Sequence, residues 1–126
     1  MSFSDYLETE ILDHVFAGNA YTAPATIYIG LHTSNPDEDD SGTEVSGGSY
    51  ARQSMAFTVS GNTASNSAAV EFPTATASWG TVSHVGLYDA STAGNLLAYA
   101  ALTASKTIDS GDVFRVPLGD LDITLD

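Results

Sequence analysis

The spacing of apolar residues changes along the chain from a helical period to a strand period. Within residues 1–18, Leu7, Ile11 and Val15 recur every fourth position, and acidic residues cluster near the start of this stretch. This pattern predicts one N-terminal α-helix. Its apolar stripe either packs on the body of the domain or docks onto a partner subunit, and the pattern alone leaves both alternatives open.

After Pro24 the apolar residues alternate with polar ones, which is typical of β-strands. The most prominent stretch covers residues 79–89 and is rich in β-branched and aromatic side chains. A turn-forming run and a second apolar run at 96–102 follow it. Because both faces of the first run carry apolar side chains, we expect a β-hairpin at the centre of the fold.

Eight short strands follow the helix, and such close spacing predicts an all-β fold. We expect a single β-sandwich, of jelly-roll or immunoglobulin-like type, that covers residues 1–126 as one domain. The predicted strands are 25–32, 50–59, 69–72, 79–89, 96–102, 106–108, 113–118 and 120–126. The side chains expected to be largely buried are Ile27, Ile29, Phe57, Phe72, Trp79, Leu87, Leu97, Phe114 and Ile123.

Residues 33–49 form a long polar loop that includes four consecutive acidic residues at 37–40. The acidic run partly matches the calcium-binding loop of an EF-hand. However, Gly48 stands where that loop needs a bidentate glutamate, and no helices flank the segment. We therefore expect residues 37–40 to face solvent, to be mobile and to bind no metal.

The charge balance limits the classes of partner. Among 126 residues, 16 are acidic and only three are Lys or Arg, which gives a formal net charge of −13. This disfavours direct binding to nucleic acid or to anionic membranes, because both depend on basic side chains. The absence of cysteine excludes disulfides and thiolate metal sites. Since no signal peptide or membrane-spanning run is evident, we expect synthesis and folding in a cytoplasm.

No constellation of residues indicates catalysis. His14, His32 and His84 lie on different predicted elements, and no nucleophile or phosphate-binding motif is present. We therefore expect no enzyme activity, no cofactor and no metal. The basic residues Arg52, Lys106 and Arg115 either pair with carboxylates or contribute to an interface. The candidate interface residues are Leu7, Ile11, Val15, Arg52 and Arg115.

Several segments together resemble one family, the short virion proteins of tailed bacteriophages and prophages that are often described as tail-fibre-like. The resemblance covers nearly the whole chain and implies a structural virion protein without catalysis. No functional residue can be transferred, because the matching positions are strand and turn positions. These segments are residues 12–14, 20–26, 48–53, 72–76, 79–82, 94–97 and 119–125.

The expected position on the virion is the outer surface of the capsid, as a decoration (cement) protein assembled in the host cytoplasm. A compact domain without a shaft suits this role, and its acidity would repel a packaged genome. The expected partner is the major capsid protein, with the chain arranged as a homo-oligomer or symmetric array.

The alternative is a tail-fibre or tail-tip protein that contacts tail proteins. Such a protein could also bind a host receptor or glycan, with Tyr28, Tyr88 and Tyr99 as stacking residues or, instead, as interior cross-strand pairs.

Overall fold

The computed structural model describes residues 1–126 as one α-helix and ten β-strands, all paired antiparallel. The prediction of an all-β fold with a single N-terminal helix is confirmed. The helix α1 is Asp5–Phe16. No helix has the length and apolar character needed to cross a membrane. The strands are β1 (Ser2–Phe3), β2 (Tyr28–His32), β3 (Gln53–Ser54), β4 (Phe57–Ser60), β5 (Thr63–Asn66), β6 (Val70–Glu71), β7 (Gly80–Tyr88), β8 (Leu96–Ile108), β9 (Arg115–Val116) and β10 (Asp122–Thr124).

The strands form three sheets. The largest has the order β1-β8-β7-β2-β3, a second has the order β10-β5-β4, and β6 pairs with β9. The predicted hairpin is β7–β8, and β7 is the central strand of the large sheet. Its Leu87 lies opposite Ile29 on one side and Ala98 on the other.

Side chains from all three sheets meet in one apolar cluster. Ile29 and Leu87 of the large sheet and Val116 of the smallest sheet are buried in it, and Phe57 of the middle sheet packs against it. The three sheets therefore share one core, and the β-sandwich of jelly-roll or immunoglobulin-like type stays a prediction. The indole of Trp79 is buried in the same cluster, and its Nε1 donates a hydrogen bond to the Gly48 carbonyl at 2.9 Å.

Two strands were missed by the sequence pattern. Strand β5 reads Thr-Ala-Ser-Asn and has no large apolar side chain, so nothing in its sequence stands out from a turn. Backbone pairing with β4 and β10 on either side holds it in the sheet. Strand β1 has only two residues and pairs with Tyr99 and Ala98.

The prediction of two separate strands at 96–102 and 106–108 is wrong, because one continuous strand, β8, covers both. Ala101 pairs with His84 and Lys106 pairs with Val82, so residues 102–105 lie opposite Ser83 alone. These four residues form a large bulge with no cross-strand partner. We call residues 102–105 the β8 bulge.

Six of the nine predicted core residues are buried: Ile29, Phe72, Trp79, Leu87, Leu97 and Phe114. The other three, Ile27, Phe57 and Ile123, are only partly buried. The alternation that marks them as inward-facing is correct, but the chain does not cover them.

Candidate functional site

The N-terminal helix is anchored at its start and exposed at its end. The Ser4 hydroxyl caps the helix by accepting the Leu7 N–H at 3.2 Å, and it also donates to the Leu96 carbonyl of β8. Leu7 packs against the apolar cluster, but Val15 is 61% exposed and Phe16 is 81% exposed. The first half of the apolar stripe therefore packs on the body, and the second half projects into solvent.

An apolar groove of about 380 Å³ opens between the start of the helix, the large sheet and the three-stranded sheet. None of its 16 lining residues is charged. All three of the partly buried core residues line it, together with Val59, which is 74% exposed. The lining includes Phe3, Leu7, Ile27, Phe57, Ile123 and Leu125.

The groove is therefore the part of the core that the chain leaves open. Apolar patches of this kind on a protein surface mark sites of interaction with other molecules more often than scattered apolar residues do. The exposed end of the helix extends this surface, since Leu7 lines the groove and belongs to the same helical stripe as Ile11 and Val15.

No charged side chain lines the groove, but two carboxylates act on one of its residues. Tyr21 forms part of the groove wall. Burial raises the pKa of its phenol, and the negative charges of Asp89 and Glu10 raise it further. These two carboxylates therefore lie close enough to act on the Tyr21 end of the groove.

The opposite face of the large sheet holds a buried polar cluster centred on Arg52. The Arg52 guanidinium forms a bidentate ion pair with the Glu44 carboxylate, in which Nη2 and Nε each lie 2.8 Å from a carboxylate oxygen. Its Nη1 donates to the carbonyls of Ala90 and Ala93 at 3.0 and 2.8 Å. The guanidinium carbon lies 3.5 Å from the centroid of the Tyr88 ring, and the side chain is only 7% exposed.

Hydrogen bonds set the protonation states in this cluster. Burial alone would raise the pKa of the Glu44 carboxyl, but hydrogen bonds from Arg52 and Tyr50 outweigh burial and hold that pKa below its usual value. Burial raises the pKa of the Tyr88 phenol, and the hydrogen bond that it donates to Asp40 at 2.8 Å acts in the same direction. Both groups therefore keep their ordinary charge state near neutral pH.

His32 is buried in the same cluster as a neutral ring. Because the Tyr88 hydroxyl hydrogen is directed to Asp40, His32 Nε2 must donate to the Tyr88 oxygen, at 2.8 Å. The ring is then the Nε2–H tautomer, and its buried Nδ1 has no hydrogen-bond partner. Burial lowers the pKa of His32, more than the nearby carboxylates of Glu44 and Asp40 raise it.

Two glycines that face each other make room for this cluster. Gly30 of β2 lies opposite Gly86 of β7. A Cβ at Gly30 would lie 3.0 Å from Glu44 Oε2 and 3.2 Å from the Tyr50 hydroxyl. A side chain at position 30 would therefore displace the groups that hold Arg52.

Comparison with known families decides the identity of the chain. Residues 2–124 match the family model described as podophage GP4 fiber I protein gp80. The chain belongs to this family. It is a bacteriophage virion structural protein, which confirms the resemblance found in the sequence. No curated protein matches the chain.

In this fibre-family protein, the predicted interface residues are distributed over separate surfaces. Leu7 lines the groove, Val15 is at the free end of the helix, and Arg52 is enclosed by the polar cluster. Arg115 is exposed on β9 and lies far along the chain from the helix. Whether any of them contacts a partner stays a prediction.

The expectation that each basic residue pairs with a carboxylate is correct for Arg52 and wrong for the other two. The Arg52–Glu44 pair is the one ion pair in the structure. Lys106 instead lies over the Phe114 ring at 5.6 Å. Exposed cations gain little from pairing in water, so their side chains are not held by carboxylates.

The acidic loop is exposed at residues 37–40, as predicted, but it is also fixed to the body at several points. Pro36 is buried, the Glu38 carbonyl accepts the Asp5 N–H at 3.0 Å, and Asp40 accepts from Tyr88. No group of three or more His, Asp or Glu side chains is arranged to hold a metal ion. The mobility of the loop stays a prediction.

Sequence reasoning did not find Glu44 as the partner of Arg52, nor Tyr50 and Asp40 as further members of the cluster through Glu44 and Tyr88. The members of the cluster form no local sequence pattern, because Glu44, Tyr50 and Arg52 lie outside the strands and Tyr88 lies in β7. The available signal is the glycine at the middle of each of two apolar strands, at 30 and 86. A glycine inside a strand indicates the close approach of another group.

Proposed function

We propose that this chain is a structural component of a tail fibre, exposed on the outside of the virion and without catalytic activity. The observation that carries the proposal is the match of residues 2–124 to a family described as a podophage fiber protein. This favours the tail over the capsid surface, the position that compactness and acidity suggested. Those two properties suit either position, because a tail is outside the capsid as well.

The surfaces of the chain support a role in assembly. The apolar groove and the exposed end of α1 give it two adjoining surfaces for protein contacts. We propose that it contacts other tail proteins through them, with several copies arranged symmetrically in the fibre.

The structure offers no support for tyrosine stacking on a glycan by Tyr88, because this side chain is 1% exposed and the Arg52 guanidinium lies over its ring. Tyr28 lies directly opposite Tyr88 in the neighbouring strand, which is the cross-strand arrangement. Receptor binding is therefore not part of the proposal.

Fractionation of virions tests the position. Purified particles would be separated into heads and tails, and this chain would be quantified by mass spectrometry in each fraction. The major capsid protein and a tube protein of the tail would serve as internal markers. We expect the chain to stay with the tails, in a ratio to the tube protein that is constant between preparations. A copy number that follows the capsid protein, in heads without tails, would instead establish a decoration protein.

A further inference from the structure

The apolar groove has the composition of a protein core but the exposure of a surface. Phe57 and Ile123 lie in β4 and β10, and Ile27 directly precedes β2, yet each is only partly buried where it lines the groove. Removing the remaining apolar surface of these side chains from water is favourable. A partner that covers the groove would gain this contribution from several residues at once.

The charge around the groove restricts what that partner can be. The groove wall itself is uncharged, Glu10 and Asp89 lie near its Tyr21 end, and the whole chain has a net charge of −13. None of the three Lys and Arg residues lines it. A second copy of the chain would bring the same carboxylates together, and like charges at an interface oppose binding.

We infer that the groove binds an amphipathic segment of another virion protein, with an apolar face flanked by Lys or Arg residues. The apolar face fills the groove against Ile27, Phe57 and Ile123. The basic flank lies at the Tyr21 end, near Glu10 and Asp89. Val15, which is exposed and belongs to the same helical stripe as Leu7, extends the contact beyond the groove. This inference deepens the proposed function, because it names the chemistry of the fibre contact, and it rests on that proposal.

A peptide array with matched charges tests the inference on the isolated protein. The probes are amphipathic peptides about 12 residues long, or roughly three helical turns. Each apolar pattern is made twice, once with Lys flanks and once with Glu flanks. We expect binding to the Lys-flanked members, with affinity that falls as salt is raised, because the charge contribution is screened. Isothermal titration of the best pair gives the affinities.

Two matched variants locate the binding site. Val59→Gln places an amide at the exposed edge of the groove, and Val113→Gln makes the same change at another exposed valine, 43% exposed and outside the groove. We expect Val59→Gln to weaken binding about tenfold, which corresponds to about 1.4 kcal/mol. Val113→Gln should leave the affinity unchanged. Both positions are exposed, so neither change should affect folding, and circular dichroism checks this.

Several results would overturn the inference. These are equal binding of Lys-flanked and Glu-flanked peptides, binding by none of them, and equal weakening by both variants. Self-association in sedimentation equilibrium that Val59→Gln abolishes would show that a second copy occupies the groove instead. If the peptide experiments contradict the groove inference, the proposed position in the tail is unaffected, because virion fractionation tests that position independently.

Discussion

Arg52 is one of only three Lys or Arg residues in the chain, and its side chain lies inside the protein. Its guanidinium contacts Glu44, two backbone carbonyls and the face of Tyr88, and so links the loops to the large sheet. A buried ion pair adds little net stability compared with apolar packing, but removing one partner leaves an uncompensated charge. The main consequence of the cluster is therefore to fix the loops at 44–52 and 89–95 against the large sheet.

The pH dependence of stability should report on His32. Its folded pKa is lowered, so the unfolded chain, with a His pKa near 6.5, binds a proton more readily than the folded one. Stability is then retained above about pH 6.5 and falls as the pH drops below it, by at most about 1.4 kcal/mol per pH unit. Urea unfolding between pH 7.5 and 5.5 measures this slope (roughly the range where His titrates).

The variant His32→Gln provides the control, because its amide still has a donor for the Tyr88 oxygen and does not titrate. We expect a shallower slope for this variant than for the unmodified chain. Identical slopes would show that the carboxylates around the cluster, and not His32, set the dependence on pH.

At the scale of elements, β8 is paired at both ends, and the β8 bulge between them is unpaired. Its first residues lie between β7 and β1, whereas the β8 bulge pairs with neither. No residue from 101 to 107 takes part in a backbone hydrogen bond outside the strand ladders.

Proline substitutions distinguish the β8 bulge from the paired residues of β8. Ala104→Pro removes no ladder hydrogen bond, so we expect the free energy of unfolding to change by less than about 1 kcal/mol. Ala100 pairs with Val85, and Ala100→Pro should lower the free energy of unfolding by more than about 2 kcal/mol. Urea denaturation measures both. Equal losses would mean that packing, and not backbone pairing, holds the bulge in place.

The periodicity of apolar residues is sufficient to predict the elements whose side chains face the core. The helix, the β7–β8 hairpin and six buried residues follow from apolar periodicity, since burial on one face leaves that signature. Strand β5 was missed because backbone pairing holds its small polar residues in place. The Arg52 cluster was missed because contacts between residues as distant as 52 and 88 leave no periodic signal.

At the scale of the whole molecule, charge and apolar surface are unevenly distributed. Carboxylates dominate the surface of the chain, whereas the groove wall carries none. A strong net charge keeps a protein soluble, which allows it to expose apolar contact surfaces before assembly. The two properties together suit a component that is made as a soluble chain and then joins a larger structure.

The positions of the basic residues also determine where trypsin can cleave the folded protein. Trypsin cleaves only after Lys or Arg, which limits it to Arg52, Lys106 and Arg115. Arg52 is enclosed, and the other two lie in strands paired with Val82 and Glu71. Cleavage therefore requires local opening, and the unpaired bulge beside Lys106 makes that the first site to open.

We expect trypsin to cleave the folded protein first after Lys106 and last after Arg52, and mass spectrometry of the fragments measures this order. In urea, where the chain is unfolded, the three sites should be cleaved without this order. Early cleavage after Arg52 would contradict the enclosed position of that side chain. The same shortage of basic residues that gives the chain its acidity thus leaves trypsin-like proteases few bonds that they can cleave.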